Sequence, residues 1–261
     1  MPIGDSYSHI SGNKLSGLGI RCLGALDLHT HFRLKPLLDF FASHVQAGSR
    51  CRVLEIGCGD GINAFELAKL ARRKGISLRY CGVDIAEAPL QRARRLARKL
   101  DLEGSTEFRQ IDAAVLDSLP GEPVDIVILA DILEHLEDPE ALLKSLKPKL
   151  GDHAIALISV PTPNYERVFG SSFHRKVGHV RSGYDLEQLN ALLATVGGRV
   201  IDHRYSTGLL CHLGCALYYR IPANRPALIL KTLALLPFRF LDFYNGPAVS
   251  CSLFAAYAFD R

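Results

Sequence analysis

The sequence predicts an α/β fold in which a doubly wound, mainly parallel sheet carries helices on both faces. Short apolar segments alternate with amphipathic helical segments along the chain, as in proteins built from strand–helix–strand units. Two of these segments, 124–130 and 154–160, are almost continuously apolar, which is typical of strands buried on both faces. The first strand runs into a glycine-rich turn and then a helix, a connection typical of sheets that bind nucleotides.

The predicted elements follow one another regularly. Apolar residues at helical spacing, such as Leu34, Leu37 and Phe41, predict a first helix over 27–45. We expect strands at 51–57, 78–84, 105–112, 124–131, 153–161, 198–206 and 251–259, and helices at 62–74, 87–100, 138–149, 185–196, 209–219 and 226–241. The strand at 251–259 has the pattern of an edge or antiparallel strand.

The length and composition indicate a single globular domain. The chain has 261 residues, close to the upper limit for one hydrophobic core, and its net charge of +4 neither requires nor excludes an anionic partner. We divide it into an N-terminal arm and cap helix (1–48), a core (49–206), an apolar helical insert (207–249) and a final strand (250–261).

The cysteines indicate a reducing compartment. The chain contains 7 of them, an odd number, without C-x-x-C spacing, and several lie in apolar strand patterns. The first residues lack the basic and apolar regions of a signal peptide, and no apolar run reaches the ~20 residues that span a bilayer. We therefore expect a cytoplasmic protein.

The glycine turn after the first strand favours a cationic ligand. Gly57, Gly59 and Gly61 have the spacing G-x-G-x-G, whereas the last glycine of the dinucleotide pattern G-x-G-x-x-G would fall on Ile62. Glu55 adds a carboxylate two residues before the first glycine. An acid beside this turn suits a ligand with a cationic group better than a pyrophosphate, which favours S-adenosylmethionine over NAD.

Acidic residues follow the next strands at the points where each ends. Asp84 could accept both ribose hydroxyls of an adenosine, and Asp112 could accept the adenine amino group. Asp131 follows Ala130 at the end of the fourth strand. Each acid alone could be a helix cap or a solvated loop residue, but their order at successive strand ends favours one binding site.

Taken together, these segments resemble class I S-adenosylmethionine-dependent methyltransferases. The similarity covers about residues 28 to 206 and rests on VLEIGCGDG, GVDIAEAPL, RQIDA and VDIVILADILEHLEDPEALLKSLKPKLG. The resemblance implies a Rossmann-like sheet of seven strands whose last strand is antiparallel. It also implies an enzyme that transfers a methyl group from S-adenosylmethionine.

The resemblance implies a cofactor site made of residues at the strand ends. These residues are Glu55, Gly57, Gly59, Gly61, Asp84, Ile85, Asp112, Ala113 and Ala130. Glu55 and the three glycines would frame the methionine part of the cofactor. Asp84 would hold the ribose, and Ile85 would lie against the adenine. The third strand's end would meet the adenine edge, and the fourth would offer a carbonyl to the cofactor's amino group.

The segment D-x-x-E-H supplies candidates for the acceptor side. Asp131, Glu134 and His135 resemble the E-x-x-E-H of ubiquinone-pathway O-methyltransferases and small-RNA 2′-O-methyltransferases, in which this run and a downstream histidine bind a divalent cation. His179 is the best downstream candidate and His174 the second. Many family members instead carry E-H-x-x-D-P without metal. We predict no metal and assign His135 as the acceptor-side base, supported by Glu134 and His179.

The acceptor itself stays open between classes. An S-adenosylmethionine-dependent O-methylation of a small molecule, including an apolar, lipid-linked or sugar-linked one, is our first hypothesis. An RNA or protein methyltransferase could use the basic residues of 87–100, and a cofactor-binding module could lack catalysis. The loop 162–184 either closes the acceptor pocket or is an ordinary surface loop, and 207–249 either walls that pocket or contacts a membrane surface.

Overall fold

The computed structural model describes residues 28–112, 122–171, 178–208, 211, 242 and 245–259. The helices predicted at 209–219 and 226–241, most of the insert 207–249, and the candidate residues Ala113 and His174 lie outside these ranges. In the ranges that are described, no helix combines the length and the apolar character that crossing a membrane requires.

The described strands form one sheet. Its members are β1 (Arg50–Ile56), β2 (Ser77–Asp84), β3 (Thr106–Gln110), β4 (Val124–Ala130), β5 (Leu150–Pro161), β6 (Gly198–Ser206) and β7 (Ser252–Phe259). The strand order is β3-β2-β1-β4-β5-β7-β6 in a 7-stranded sheet. Strands β1 to β5 pair in parallel, and β7 is antiparallel to both β5 and β6. This confirms the predicted Rossmann-like sheet with an antiparallel last strand.

Of the two alternatives for the last strand, edge or antiparallel, the antiparallel one is confirmed and the edge position is not. β7 lies between β5 and β6, and nearly every one of its residues is buried. The edge is instead β6, in which buried or half-buried residues alternate with exposed ones. The uniform apolar run 252–259 is thus typical of a strand that is buried on both faces of the sheet and hydrogen-bonded to a neighbouring strand at each edge.

Helices cover both faces of the sheet. They are α1 (Leu28–His44), α2 (Ile62–Lys74), α3 (Glu87–Leu100), α4 (Pro139–Leu146), α5 (Asn164–Phe169) and α6 (Leu186–Ala194), with 3-10 turns at Leu133–His135 and Lys147–Lys149. The helix predicted over 138–149 ends early because Pro148 cannot donate to an α-helical carbonyl. Within the predicted loop 162–184, α5 is an additional short helix.

Two cores result from the alternation of side chains along the central strands. Val53 and Ile128 contribute to a core with α1, α2 and α3, whereas Leu54 and Leu129 contribute to a core with α4 and α6. Helix α4 begins at Asp138, which accepts from the Ala141 N–H, and α6 begins with a capping box. The doubly wound arrangement leaves the carboxyl ends of the parallel strands at one edge.

That edge contains the point where the order of the sheet reverses. The chain runs outward from β1 to β2 and β3, and then returns to place β4 on the other side of β1. In open sheets of this kind, ligands bind in the crevice at such a switch point. The glycine turn after β1 and Asp131 after β4 therefore border one crevice.

Candidate cofactor and acceptor site

The glycine turn is anchored to the end of β2 by main-chain hydrogen bonds. The N–H groups of Gly57 and Cys58 donate to the Val83 carbonyl at 2.8 and 3.0 Å, and the Gly61 N–H donates to the Cys58 carbonyl at 2.9 Å. Gly57, Gly59 and Gly61 have φ values of 73°, 50° and 75°. These left-handed conformations explain why the turn contains glycine at alternate positions.

The turn is closely packed on both sides but open in its middle. A Cβ at Gly61 would lie 2.8 Å from the ring of Phe108, and one at Gly57 would lie 3.0 Å from Ile132 Cδ1. A Cβ at Gly59 would meet no atom of the described residues within 4 Å. Gly59 thus faces the space in which a ligand could approach the main chain.

Asp84 stands at the border of this space. Its carboxylate accepts hydrogen bonds from the Gly59 N–H at 2.8 Å and from the Ala86 N–H at 2.9 Å. The next side chain, Ile85, is 64% exposed although it is large and apolar. Its carbonyl accepts from Gln110 at the end of β3, and the exposed Asp112 follows there. The Asp84 carboxylate, the apolar side chain of Ile85 and the Asp112 carboxylate therefore lie at the ends of the adjacent strands β2 and β3.

Glu55 lies buried beneath the turn with one oxygen uncommitted. The side chain is 2% exposed, and its Oε1 accepts from Asn63 Nδ2 at 2.6 Å. Among the described residues, Oε2 has no hydrogen-bond partner. Burial raises the pKa of Glu55 from 4.5 to about 8; the Asn63 hydrogen bond opposes this rise and the nearby charge of Asp84 adds to it. A cationic group placed there would offset the cost of ionising this carboxyl.

The structure adds an ion pair that the sequence did not reveal. Asp60, 8% exposed within the glycine turn, accepts from Arg92 of α3, with Nε and Nη2 at 3.0 and 2.9 Å from Oδ1. Arg94 of the same helix binds Glu87 and the Phe108 carbonyl. The number of basic residues in 87–100 does not show which of them form ion pairs within the protein. That depends on which face of the helix packs against the sheet.

On the acceptor side, the structure brings Glu134, His135 and His179 together. One potential ligand atom from each lies within 4.8 Å of the others. Glu134 is 1% exposed, and its Oε1 lies 3.9 Å from His179 Nε2. The rings of His135 and His179 meet edge to face at 4.8 Å, and Tyr165 packs against His179 with ring centroids 5.5 Å apart. The residues predicted for the acceptor side are thus neighbours.

Main-chain contacts hold this cluster in place. The Val180 N–H donates to the Glu134 carbonyl at 3.0 Å, and the Tyr184 hydroxyl donates to the Leu133 carbonyl at 3.3 Å. Arg181 donates to the carbonyls of Leu136 and Glu137. The end of the predicted loop 162–184 therefore packs on the 3-10 turn that carries the candidate base, and Tyr184 is buried there.

Glu134 differs electrostatically from the buried acid under the turn. Burial raises its pKa, but the charges of Arg33, His135 and Arg181 all oppose that rise. Its Oε2 has no hydrogen-bond partner within the described part of the chain. This carboxyl is therefore buried in a cationic environment rather than an apolar one.

Asp131 does not join the cluster, contrary to the grouping expected for a D-x-x-E-H ligand set. Its carboxylate forms an ion pair with Arg33 of α1, whose side chain is 9% exposed. Asp131 has a φ of 57°, and its N–H donates to the Ser159 carbonyl at 2.9 Å, directly after Ala130 at the end of β4. Arg33 escaped the sequence analysis because a basic residue in an amphipathic helix gives no local signal of a distant partner.

A comparison with known protein families identifies the family to which the chain belongs. A family model described as a methyltransferase domain matches residues 28–203 of the chain. The chain belongs to this methyltransferase family. The resemblance to class I S-adenosylmethionine-dependent methyltransferases is thereby confirmed, together with their seven-stranded sheet.

Relatives of this methyltransferase domain are similar over part of their length. A ubiquinone biosynthesis O-methyltransferase of Acinetobacter baylyi is 33% identical over 134 residues, which are 49% of this chain and 53% of that protein. The chain thus spans about half the length of the curated relatives it matches.

Solved structures share the fold at lower identity. A SAM-dependent methyltransferase from Aquifex aeolicus has a TM-score of 0.56 and 19% identity, covering 88% of this chain and 91% of that one. A magnesium protoporphyrin IX methyltransferase from Synechocystis PCC 6803, solved with bound SAH, has a TM-score of 0.56 and 16% identity, covering 98% and 93%. At this identity the likeness concerns the fold alone.

The contrast between Gly59 and Gly61 is testable. Gly61→Ala should destabilise the fold more than Gly59→Ala, because its Cβ would collide with Phe108, whereas Gly59→Ala costs about 1–3 kcal/mol of backbone strain. Gly59→Ala should nevertheless abolish binding of S-adenosylhomocysteine, because its Cβ projects into the open space. Urea unfolding and calorimetric titration measure the two effects. Wild-type affinity in Gly59→Ala would contradict this use of the space.

The raised pKa of Glu55 predicts a pH dependence of stability. The folded protein holds the Glu55 proton more tightly than the unfolded chain, so the free energy of unfolding should fall as pH rises from 4.5 to 8. We expect the free energy of unfolding of the wild type to fall by an amount on the order of a few kcal/mol, and this decrease should be absent in Glu55→Gln. Urea unfolding between these pH values measures it, with exposed Glu103→Gln as control. Parallel profiles for wild type and Glu55→Gln would refute the buried, uncompensated state of Glu55.

Proposed function

We propose that this protein transfers the methyl group of S-adenosylmethionine to an oxygen atom of a small molecule. The observation that carries the proposal is the open space at Gly59, which borders the carboxylate of Asp84, together with buried Glu55, which lies near Asp84 and has one uncommitted oxygen. These groups match a ligand that is cationic at one end and carries a ribose at the other. The name of the Acinetobacter baylyi relative supports oxygen as the atom methylated.

Each part of the cofactor has a complementary group at the strand ends. The cationic methionine end would lie over the glycine turn, where Glu55 offsets its charge and the Ala130 carbonyl accepts from its amino group. Each oxygen of Asp84 accepts one main-chain N–H and keeps capacity to accept a ribose hydroxyl. The exposed side chain of Ile85 would pack against the adenine, with Asp112 at its edge; Ala113 is assigned there by motif alone.

His135 is suited to act as the general base. Its Nδ1 lies 3.0 Å from the Gly178 carbonyl, which can only accept, so Nδ1 carries the hydrogen. The neutral ring then has its lone pair on Nε2, the atom that takes a proton from the acceptor hydroxyl. Glu134 and His179 would support this ring, one by charge and the other by edge-to-face packing.

The transfer step then depends mainly on alignment. The sulfonium already activates its methyl group, so the protein must hold the acceptor oxygen, the methyl carbon and the sulfur in line. The ends of β1 and β4 would fix the donor, and the packed segment 178–184 with Tyr165 would form the acceptor wall. Removal of the hydroxyl proton by His135 makes the oxygen a stronger nucleophile.

We propose a small molecule rather than a nucleic acid because two arginines of α3, Arg92 and Arg94, are paired within the domain. An RNA or protein acceptor remains the alternative, as does a cofactor-binding module without catalysis. A peripheral membrane contact through 207–249 lies outside the described residues. We also propose a cytoplasmic location, since Cys51, Cys58 and Cys81 are free thiols.

Cofactor binding can be tested without knowing the acceptor. S-adenosylhomocysteine should raise the melting temperature of the protein, whereas NADH should not, because stabilisation follows binding to the folded state. Asp84→Ala should abolish the shift. Asp125→Ala is a matched control, because Asp125 also accepts a main-chain N–H, from Arg52, but at the opposite end of the sheet. No shift in the wild type at saturating ligand would overturn the proposal.

The acceptor-side role of His135 predicts a separation of binding from turnover. His135→Ala should lower the rate of methyl transfer ~10²–10⁴-fold while leaving the affinity for S-adenosylhomocysteine unchanged. The assay follows label from the S-adenosylmethionine methyl group into a panel of small phenols and hydroxy acids, with total RNA and total protein in parallel. Label in RNA or protein alone would favour the alternative acceptors. Binding without turnover in every arm would favour the non-catalytic module.

A further inference from the structure

The acceptor side does not have the charge arrangement that a divalent cation requires. The D-x-x-E-H resemblance implies that Asp131, Glu134 and His135 would face one ion together with a downstream histidine. In the structure, His179 joins Glu134 and His135, but the carboxylate of Asp131 is paired with Arg33. The two acids that should share an ion therefore do not face the same point.

Arg33 acts on both acids from the cap helix. Its guanidinium, 9% exposed, forms the ion pair with Asp131, and its positive charge also acts on the buried carboxyl of Glu134. Arg181 contributes a second positive charge to Glu134 and is held by the carbonyls of Leu136 and Glu137. The half-buried carboxylate of Asp131 and the buried carboxyl of Glu134 are thus already acted on by the positive charges of two guanidinium groups.

We propose that the guanidinium of Arg33 takes the place of a divalent cation on the acceptor side of this protein. The inference rests on the methyl transfer proposed above and specifies that this transfer needs no bound metal. Arg33 is a positioning residue in this scheme, because it neutralises Asp131 and Glu134 beside the base and does not itself move a proton.

Physical chemistry explains why the two cations exclude one another. An arginine in a protein stays protonated, so Arg33 cannot discharge to admit an ion, as a lysine or a histidine could. A divalent cation at Glu134, His135 and His179 would lie near this fixed charge and would lack the Asp131 carboxylate as a ligand. With Arg33 present, the three remaining donors therefore bind an ion weakly, although their number alone would suffice for zinc.

The inference predicts that metal affinity appears when Arg33 loses its charge. Calorimetric titration of the protein with Zn²⁺ or Mn²⁺ alone should show no stoichiometric binding to the wild type. Arg33→Met should bind at least ~10-fold more tightly, and Arg33→Lys should have an affinity between those of the wild type and Arg33→Met, because a buried lysine can lose its proton. Lys35→Met is the matched control, because it removes a positive charge from the same helix at an exposed residue paired with Asp39. It should behave as the wild type.

Two further variants keep the test decisive. Arg33→Met with Asp131→Asn leaves no unpaired carboxylate at residue 131, so it should fold even where the single variant does not, and it should still bind Zn²⁺ more tightly than the wild type. Adding Glu134→Gln should abolish the gain, which locates the ion in the cluster. Stoichiometric Mn²⁺ or Zn²⁺ binding by the wild type that Glu134→Gln removes, or no gain in the folded double variant, would overturn the inference.

The cofactor measurement separates this inference from the proposed function. S-adenosylhomocysteine should raise the melting temperature of the double variant as it does for the wild type, because Arg33 and Asp131 lie on the acceptor side. A gain of metal binding without any response to S-adenosylhomocysteine would support the role of Arg33 and overturn the methyltransferase proposal. The opposite pair of results would retain the methyltransferase and reject the role of Arg33.

Discussion

The attachment of the glycine turn to the end of β2 is the constraint on which the cofactor site depends. Three main-chain N–H groups of the turn, those of Gly57, Cys58 and Gly59, bind either the Val83 carbonyl or the Asp84 carboxylate. Because β1 pairs in register with β2 on one side and β4 on the other, this attachment also sets the distance to the end of β4. The open space at Gly59 follows from that register.

Two buried glutamates differ in the charges that surround them and therefore in how the cost of burying a carboxyl group is offset. Glu55 has one amide donor and a negative neighbour, so its pKa rises to about 8, and a cationic ligand would supply the missing charge. Glu134 instead lies near Arg33 and Arg181, which supply positive charge from within the protein. In the proposed site, Glu55 would thus rely on the ligand for compensating charge, whereas Glu134 already has positive neighbours within the protein.

The proposed acceptor side is assembled from segments that are distant in the sequence. Arg33 comes from the cap helix, Glu134 and His135 from the 3-10 turn after β4, and His179 from the segment that precedes α6. Hydrogen bonds from Val180 and Tyr184 to the 3-10 turn hold two of these parts together. Changes in the cap helix can therefore alter the charges around Asp131 and Glu134 without touching the glycine turn.

The sequence by itself determined the strands, most helix boundaries and the residues at the strand ends, because apolar periodicity, glycine spacing and acids at fixed offsets are local signals. It also predicted the neighbours Glu134, His135 and His179 through a family resemblance. Only the tertiary structure decided that β7 is internal and that Asp60 pairs with Arg92. It also decided that Asp131 pairs with Arg33 rather than joining the cluster that contains Glu134. Those outcomes depend on how helices pack and which faces they present, and a single sequence does not specify pairings between residues so far apart.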